Sequence, residues 1–469
     1  MLLLKIAARN VARNARRSLM TLSAVAVGFM AIGLFGEFMA YITTGFQTTT
    51  VERSGHLSVF HSGYFDFGAG NPAAYGISSY ADVIDLIAGD PSIADHVAVI
   101  TPTVTLFGIA GNFDIDASKT FFGLGVVPAD RDRMLRWDEY GLMTNRPPVT
   151  SGLKDDVEGE GIVGVGLARI LGLCAPLAVP DCKAPPPPPK PAAAPGGGVP
   201  AGLDIDELAH RDAPARDESR DRRPRIDLLA ATAGGAPNVM TLTVTKAERQ
   251  GIKELDDNFV AMHLHLAQQL LYGRGEHKAV AIVLQLKRTE DMAPIRDRLN
   301  ALFHDKGLDL EVRDFTELQP QYNQVIGLFG AIFSFIAIVM GTIVLFTVVN
   351  TMSMSVMERV DEIGTARAMG VRRRSIRRQF LLEGWMLGAI GATIGMILAA
   401  IAASLVNRAG LTWTPPGQAA AIPFRLLTSG VGGLIGGVWL GLVFVATMAA
   451  LVPANRAARM TVVDALRHV

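Results

Sequence analysis

Residue types that do chemistry occur in this sequence, but not at spacings that chemistry needs. His263 and His265 stand two apart, and no further ligands accompany them to complete a metal site. Cys174 and Cys182 are the only cysteines and lie in a proline-rich stretch, which is not a zinc pattern. Outside the cytoplasm they could pair; a free, unused pair fits the sequence equally well. No serine sits in a nucleophile-elbow pattern, and no GxxxxGK[ST] phosphate loop occurs. The sequence therefore predicts no catalytic, cofactor-binding or metal-ligating residue.

One stretch does concentrate charge: Glu358-Arg359-Val360-Asp361-Glu362-Ile363-Gly364-Thr365-Ala366-Arg367-Ala368-Met369-Gly370-Val371, then Arg372-Arg373-Arg374. Its chemistry is recognition. Gly364, Ala366, Ala368 and Gly370 allow another surface to approach closely. Glu358, Asp361, Glu362 and Arg367 can form i,i+3 and i,i+4 pairs or meet a partner's charges. A loop that is merely basic would carry the arginines without the interleaved acids.

The elements that position this stretch are apolar runs on either side of it. The chain has 469 residues, no net formal charge, 49% apolar residues and only 19% charged ones. That is too apolar for a soluble protein of this length, and a neutral chain lacks the basic field that nucleic acid requires. Four runs are long enough to cross hydrocarbon, which takes about 20 residues: Leu19 to Ile42, Val325 to about Met354, Phe380 to Val406, and Leu426 to Val452. Lysine and arginine placement orients them. Lys5, Arg9, Arg13, Arg16 and Arg17 precede the first run, and Arg456, Arg459 and Arg467 follow the fourth. The loop between the second and third carries seven arginines against three acids, whereas the loop between the third and fourth has only Arg408 and Arg425. Both termini and the 358–379 loop are thus expected in the cytoplasm, with 43–323 on the other side.

Within this frame, residues 1–17 read as a cytoplasmic amphipathic helix, with Arg9, Arg13, Arg16 and Arg17 near one face and lipid headgroups as its partner. The four transmembrane helices are expected at 18–42, 324–357, 380–407 and 426–452. Between them come the large outer segment 43–323, the inner loop 358–379 and a short outer loop 408–425; a cytoplasmic tail, 453–469, ends the chain. The first run is read as an uncleaved anchor, being longer than a signal core and lacking a clear cleavage site. Glu37, about 28 Å along the first helix, and Glu383, at the entrance of the third, read as boundary carboxylates, the latter within reach of Arg377 or Arg378. Gly384, Gly388, Gly391 and Gly395 in the third span and Gly433 and Gly437 in the fourth give small-xxx-small faces for helix packing, within the chain or between copies.

The outer segment mixes both kinds of element. Residues 57–60, 104–107, 120–122, 240–244 and 279–284 read as strands, and 80–88, 163–172, 256–271 and 290–304 as helices. An α+β domain follows. Residues 175–237 read as a disordered insertion: twelve of the 25 prolines fall between Pro176 and Pro224, a Gly196-Gly197-Gly198 run follows the proline tract, and charge is dense thereafter. The fold class is therefore an α-helical membrane protein with four transmembrane helices and a large α+β extracytoplasmic (periplasmic) domain inserted between helices 1 and 2.

This order of one span, a large outer domain and three spans resembles the MacB/FtsX-type ABC transporter permease superfamily, which includes the lipoprotein-releasing LolC and LolE proteins. The resemblance rests on Glu358, Arg359, Glu362, Ile363, Gly364, Arg367, Ala368 and Gly370, matching E-R-x-x-E-I-G-x-x-R-A-x-G ahead of the helix 375–383. Pro453-Ala454-Asn455-Arg456-Ala457-Ala458-Arg459 and Asp464-Ala465-Leu466-Arg467 agree with it, with Val462 where many relatives have proline. Ser54-Gly55-His56-Leu57 and Gly63-Tyr64 look like the start of the outer domain in LolE-like members, and 164–173 and 251–256 are similar to other parts of it.

What the resemblance implies is a mechanotransmitting permease in the inner membrane. It pairs with a second permease copy, identical or related, and contacts membrane lipid. A cytoplasmic ABC ATPase dimer, carried on a partner chain and using ATP that this chain does not bind, docks on Glu358, Arg359, Glu362, Ile363, Gly364, Arg367, Ala368, Met369 and Gly370. Its cargo would be a lipoprotein, lipid or other hydrophobic molecule, handed to a periplasmic adaptor or lipoprotein carrier. Two alternatives remain: an FtsX-like permease that activates a periplasmic hydrolase, and MacB-like drug or peptide efflux. The outer segment of about 280 residues is larger than FtsX-like members carry, which favours export.

Overall fold

The computed structural model describes residues 7, 9–11, 13, 15–68, 74–142, 150–179, 223–232, 234–250, 253–275, 277–414 and 422–460. The chain divides into two compact units, one built from 1–47, 319–415 and 421–469, the other from 48–318 with 416–420.

The first unit contains four helices long and apolar enough to cross a membrane. They are α1 (Ala15–Ser54), whose residues 48–54 belong to the second unit, α10 (Pro320–Glu358), α12 (Arg373–Ala409) and a fourth formed by α13 (Gly432–Ala449) running into α14 (Leu451–Arg459). Between α10 and α12 lies the short α11 (Val360–Ala368). At 1.5 Å per residue, the 40 residues of α1 span about 60 Å, twice the thickness of bilayer hydrocarbon. The apolar run predicts only its middle. The core of the unit brings Val25 and Phe29 of α1 against Val344 and Val348 of α10, Phe380 and Leu387 of α12, and Val443 and Ala446 of α13.

Two glycine pairs on α12 set how closely its neighbours approach. A Cβ at Gly384 or Gly388 would lie within 3 Å of the Ala450 or Ala446 side chain, and one at Gly391 or Gly395 within 3 Å of Val25 or Ala26 on α1. The first pair therefore seats the fourth helix and the second pair seats the first. Gly433 and Gly437 behave differently: among the described residues an added Cβ there meets nothing within 4 Å, so they seat no described neighbour.

Glu37, expected at the outer boundary of the first span, is 5% exposed and lies among the helices. Its backbone carbonyl accepts from Leu427 N–H, and Phe38 beside it packs on Trp413 and Phe424.

The second unit contains one nine-stranded sheet. Its strands are β1 (Leu57–His61), β2 (Val97–Asn112), β3 (Ala117–Val126), β4 (Glu160–Gly164), β5 (Arg225–Ala231), β6 (Pro237–Glu248), β7 (Phe259–His263), β8 (Ala281–Leu286) and β9 (Leu310–Asp314), in the order β3-β7-β4-β6-β5-β2-β8-β1-β9. An additional β2–β3 pairing closes six of them into a ring. The 16-residue β2 makes this possible. Its first half pairs with β8, and its second half pairs with β3 on one side and β5 on the other. The ring interior holds Val104, Leu106, Phe121, Ile226, Leu228, Leu242, Val244, Val260 and Met262, the inward set of each alternating strand. The open part, β2-β8-β1-β9, is covered by α2 (Tyr80–Ala88) and α8 (Met292–Asp305) through Val83, Ile87, Ile295, Leu299 and Phe303; the one-turn helices α3 (Pro91–Ala94) and α9 (Phe315–Leu318) follow α2 and β9 in the chain.

Three expectations need correction here. Residues 256–271 are not one helix: α6 (Lys253–Asp256) is followed by strand β7 and then α7 (Leu264–Tyr272). Phe259-Val260-Ala261-Met262 is buried on both faces, so it lacks the alternation that marks a half-exposed strand. The helix expected at 163–172 is only α5 (Val165–Ile170), and its first residues belong to β4. The segment 175–237 is not without structure at its end, because β5 lies inside it; Ile226, Leu228 and Ala230 alternate inward and fill the gap between β2 and β6. Residues 180–222 of that segment lie outside the described residues. Cys174 is disulfide-bonded, and the other cysteine, Cys182, lies outside the described residues.

The joint after α1 explains Ser54-Gly55-His56-Leu57. Gly55 sits at φ +71°, and a Cβ there would come within 2.9 Å of the Leu284 carbonyl oxygen. His56 is fully buried. Its Nδ1 accepts from Leu286 N–H at 3.0 Å and its Nε2 faces Thr289 Oγ1 at 3.2 Å. Arg131, in α4 (Pro128–Met134), donates to the Glu52 and Arg53 carbonyls and so caps the end of α1 with positive charge. His263 closes β7 and caps α7 by accepting from His265 N–H, while His265 faces Glu158 at 2.7 Å.

Candidate functional site

The stretch 358–374 folds as a turn, a short helix and a second turn. Helix α10 ends at Glu358, and Arg359, at φ −110° and ψ 20°, redirects the chain into α11. Asp361 and Glu362 occupy the first turn of α11 and Arg367 its last, the arrangement that complements a helix dipole. Gly370 then stops the helix at φ +88°, with its N–H bonded to the Arg367 carbonyl and Val371 N–H to that of Ala366. This is a glycine C-terminal cap, which requires a left-handed residue.

The two faces of α11 differ sharply. Val360, Ile363 and Gly364 are buried; Ile363 shares a core with Val356, Ile376, Phe380, Ala454 and Ala457. The last two belong to α14, whose Pro453, Ala454, Ala457 and Ala458 form its buried stripe while Asn455 and Arg456 are exposed. On the other side Asp361, Glu362, Thr365, Ala368, Met369 and Gly370 are exposed, with Met369 at 75%. Of the nine residues expected to meet an ATPase, three therefore cannot lie on an open surface: Arg359, Ile363 and Gly364. The reason is that α11 is too short to stand alone and anchors itself by one face. Glu358, Glu362, Ala368, Met369 and Gly370 are accessible, and Arg367 is half-buried.

Beneath α11 lies a buried polar group that the sequence does not announce. Arg359 is 5% exposed and Glu383, near the start of α12, is 3% exposed. The guanidinium donates to both carboxylate oxygens at 3.2 and 3.3 Å. Asn10 completes the set: its Nδ2 donates to Glu383 Oε1 at 2.7 Å, and its carbonyl accepts from Arg359 at 3.3 Å. Glu383 thus pairs with Arg359 rather than with Arg377 or Arg378, both of which are exposed. Arg377 and Arg378 precede Glu383 by six and five residues, which at 3.6 residues per turn puts them roughly a third of a turn or more round the helix from it, so the arginines nearest in sequence face the wrong side.

The N-terminal arginines are also redirected. Arg13 makes two bonds to the Glu362 carboxylate, at 2.8 and 3.0 Å, and Arg17 pairs with Glu358. The expectation that this face meets lipid headgroups is corrected for these two side chains, which contact the acids of the 358–374 stretch. Arg359, Glu383 and Asn10 were missed as a set. The usable signal was the carboxylate itself: an acid entering an apolar helix needs a cation of its own.

Residues 331–462 match the FtsX-like permease C-terminal family. Curated relatives include the pyoverdine export ATP-binding/permease protein PvdT of Pseudomonas entomophila, 30% identical over 50% of this chain and 34% of that protein. They also include the macrolide export ATP-binding/permease proteins MacB of Bdellovibrio bacteriovorus, 27% identical over 46% of this chain and 32% of that one, and of Neisseria gonorrhoeae, 32% identical over 37% and 26%. The matches span about a third or less of those relatives' length. Together with the four apolar helices and the 358–370 motif, these matches support a likeness to the MacB/FtsX-type ABC transporter permease superfamily, carried by an FtsX-like permease region at 331–462.

Proposed function

We propose that this chain is the transmembrane permease subunit of a mechanotransmitting ABC transporter. A cytoplasmic ABC ATPase on a separate chain docks on the exposed face of α11, and its ATP-driven closure moves the 48–318 unit on the far side of the inner membrane. The chain works with a second permease, and its cargo is a lipoprotein, lipid or other hydrophobic molecule. The arginine distribution supports cytoplasmic termini and a periplasmic 48–318 unit.

The observation that carries this reading is the asymmetry of α11. A helix anchored by Val360, Ile363 and Gly364, with Asp361, Thr365, Ala368 and Met369 left open, is a presented surface rather than a mere connection. An exposed methionine ringed by charge suits a protein partner better than lipid. Met369→Glu, or Thr365→Arg, is expected to abolish co-purification with the ATPase while membrane insertion is unchanged. Undiminished co-purification of both variants would sink the proposal.

Relatives whose names carry the word export favour transport over FtsX-like activation of a periplasmic hydrolase. They bring MacB-like efflux with an adaptor level with lipoprotein release. Identification of molecules that co-purify with the assembled complex separates the three.

A further inference from the structure

Three elements meet at the buried polar group, and nothing in the proposed docking of an ATPase requires them to be joined there. Asn10 belongs to the helical turn preceding α1, Arg359 to the turn between α10 and α11, and Glu383 to α12. Each supplies one member of a set with 2.7–3.3 Å contacts. Above them, Arg13–Glu362 and Arg17–Glu358 tie the same N-terminal segment to the stretch that carries α11.

We propose that Asn10, Arg359 and Glu383 form a buried rivet that makes the N-terminal helix, α11 and α12 move as one body, so that force delivered on α11 is passed to α1. The inference rests on the functional reading only for the source of that force.

The two kinds of contact differ in how water reaches them. Arg13–Glu362 is more than half exposed, so water and salt replace it at little cost, and it can open without consequence. Arg359 and Glu383 have no such exchange. Separating them leaves two charges in a poorly polarisable interior, and the interaction falls steeply with distance. A joint of this type stays closed when its elements are pushed. The glycine seats add stiffness: Gly391 and Gly395 hold α12 against α1, and Gly384 and Gly388 hold it against the fourth helix. A push on α11 therefore reaches α1, which continues unbroken to Ser54, the residue before the Gly55–His56 joint. The arrangement assigns Arg359 and Glu383 to positioning, which explains why an arginine in the middle of a docking motif is buried.

The test labels the exposed positions Arg16→Cys and Arg377→Cys, which lie outside the proposed docking face, with spin labels in the full-length protein in lipid nanodiscs and measures the distance between them. The unmodified rivet is expected to give one narrow distance, the same with and without ATP in the ATPase complex. Glu383→Gln, and the doubly neutral Arg359→Gln/Glu383→Gln, which leaves no charge unpaired, are expected to broaden that distance even in the permease alone. The exchanged pair Arg359→Glu/Glu383→Arg is expected to narrow it again. A distance that stays narrow in the neutral variants would overturn the rivet, as would one that shifts with ATP when the rivet is intact. If the ATPase fails to bind the unaltered protein, the functional reading falls instead, and the permease-alone measurement still decides the rivet.

Discussion

Arg359 and Glu383 show how one pair of side chains can outweigh a crowd of others. Removing one partner of a buried ion pair costs about 3–5 kcal/mol, because the other is left charged without water. Glu383→Ala is therefore expected to lower the melting temperature of the detergent-solubilised protein strongly, whereas Arg13→Ala should change stability by about 1 kcal/mol or less. A second residue-scale effect concerns pH. Burial pushes the His56 imidazole down to about 4 from its ordinary 6.5. The unfolded chain then takes up this proton first, so stability contributed by neutral His56 is complete above pH 6.5. It is lost progressively as pH falls toward 4, by about 3 kcal/mol in all. Melting curves between pH 7.5 and 5 check this, and His56→Gln should flatten the fall.

At the scale of elements, the glycines of the third and fourth helices look alike in the sequence and act differently in the fold. A side chain at Gly395 would meet the Ala26 carbonyl at 2.5 Å and Phe29 Cβ at 2.6 Å, so Gly395→Leu must separate α1 from α12. It is expected to abolish recovery of folded protein by gel filtration in detergent. Gly433→Ala and Gly437→Ala, which meet nothing within 4 Å among the described residues, should leave the melting temperature of the monomer unchanged. The small-xxx-small spacing was legible, but spacing reports only that a close approach is possible. Which neighbour approaches depends on the other helices. The same limit explains β5: Ile226-Asp227-Leu228-Leu229-Ala230 alternates only briefly within a charged, proline-bearing tract. Its strand character comes from a vacancy between β2 and β6, one hundred and more residues distant from the first of these in the chain.

At the scale of the whole molecule, the Gly55–His56 joint is expected to be sensitive to any side chain. Gly55→Ala adds a contact at 2.4 Å to Val283 at a left-handed backbone position. Limited proteolysis of the full-length protein should show the 48–318 unit loosened in this variant while the four long helices stay inserted. The sequence by itself determined the four apolar helices, the mixed α+β character of what lies between the first and second, and the motif around Glu358 on which the family resemblance rests. Those follow from local quantities: length of apolar runs, periodicity, and residue type at fixed spacing. Only the tertiary structure decided that Arg359 faces inward, that Glu383 is its partner, that Arg13 and Arg17 meet Glu362 and Glu358, and that six strands close into a ring. Each of these joins residues far apart in the chain. A buried charge must be compensated by some cation, but which cation is set by how helices pack, and helix packing is a property of surfaces that no single segment contains.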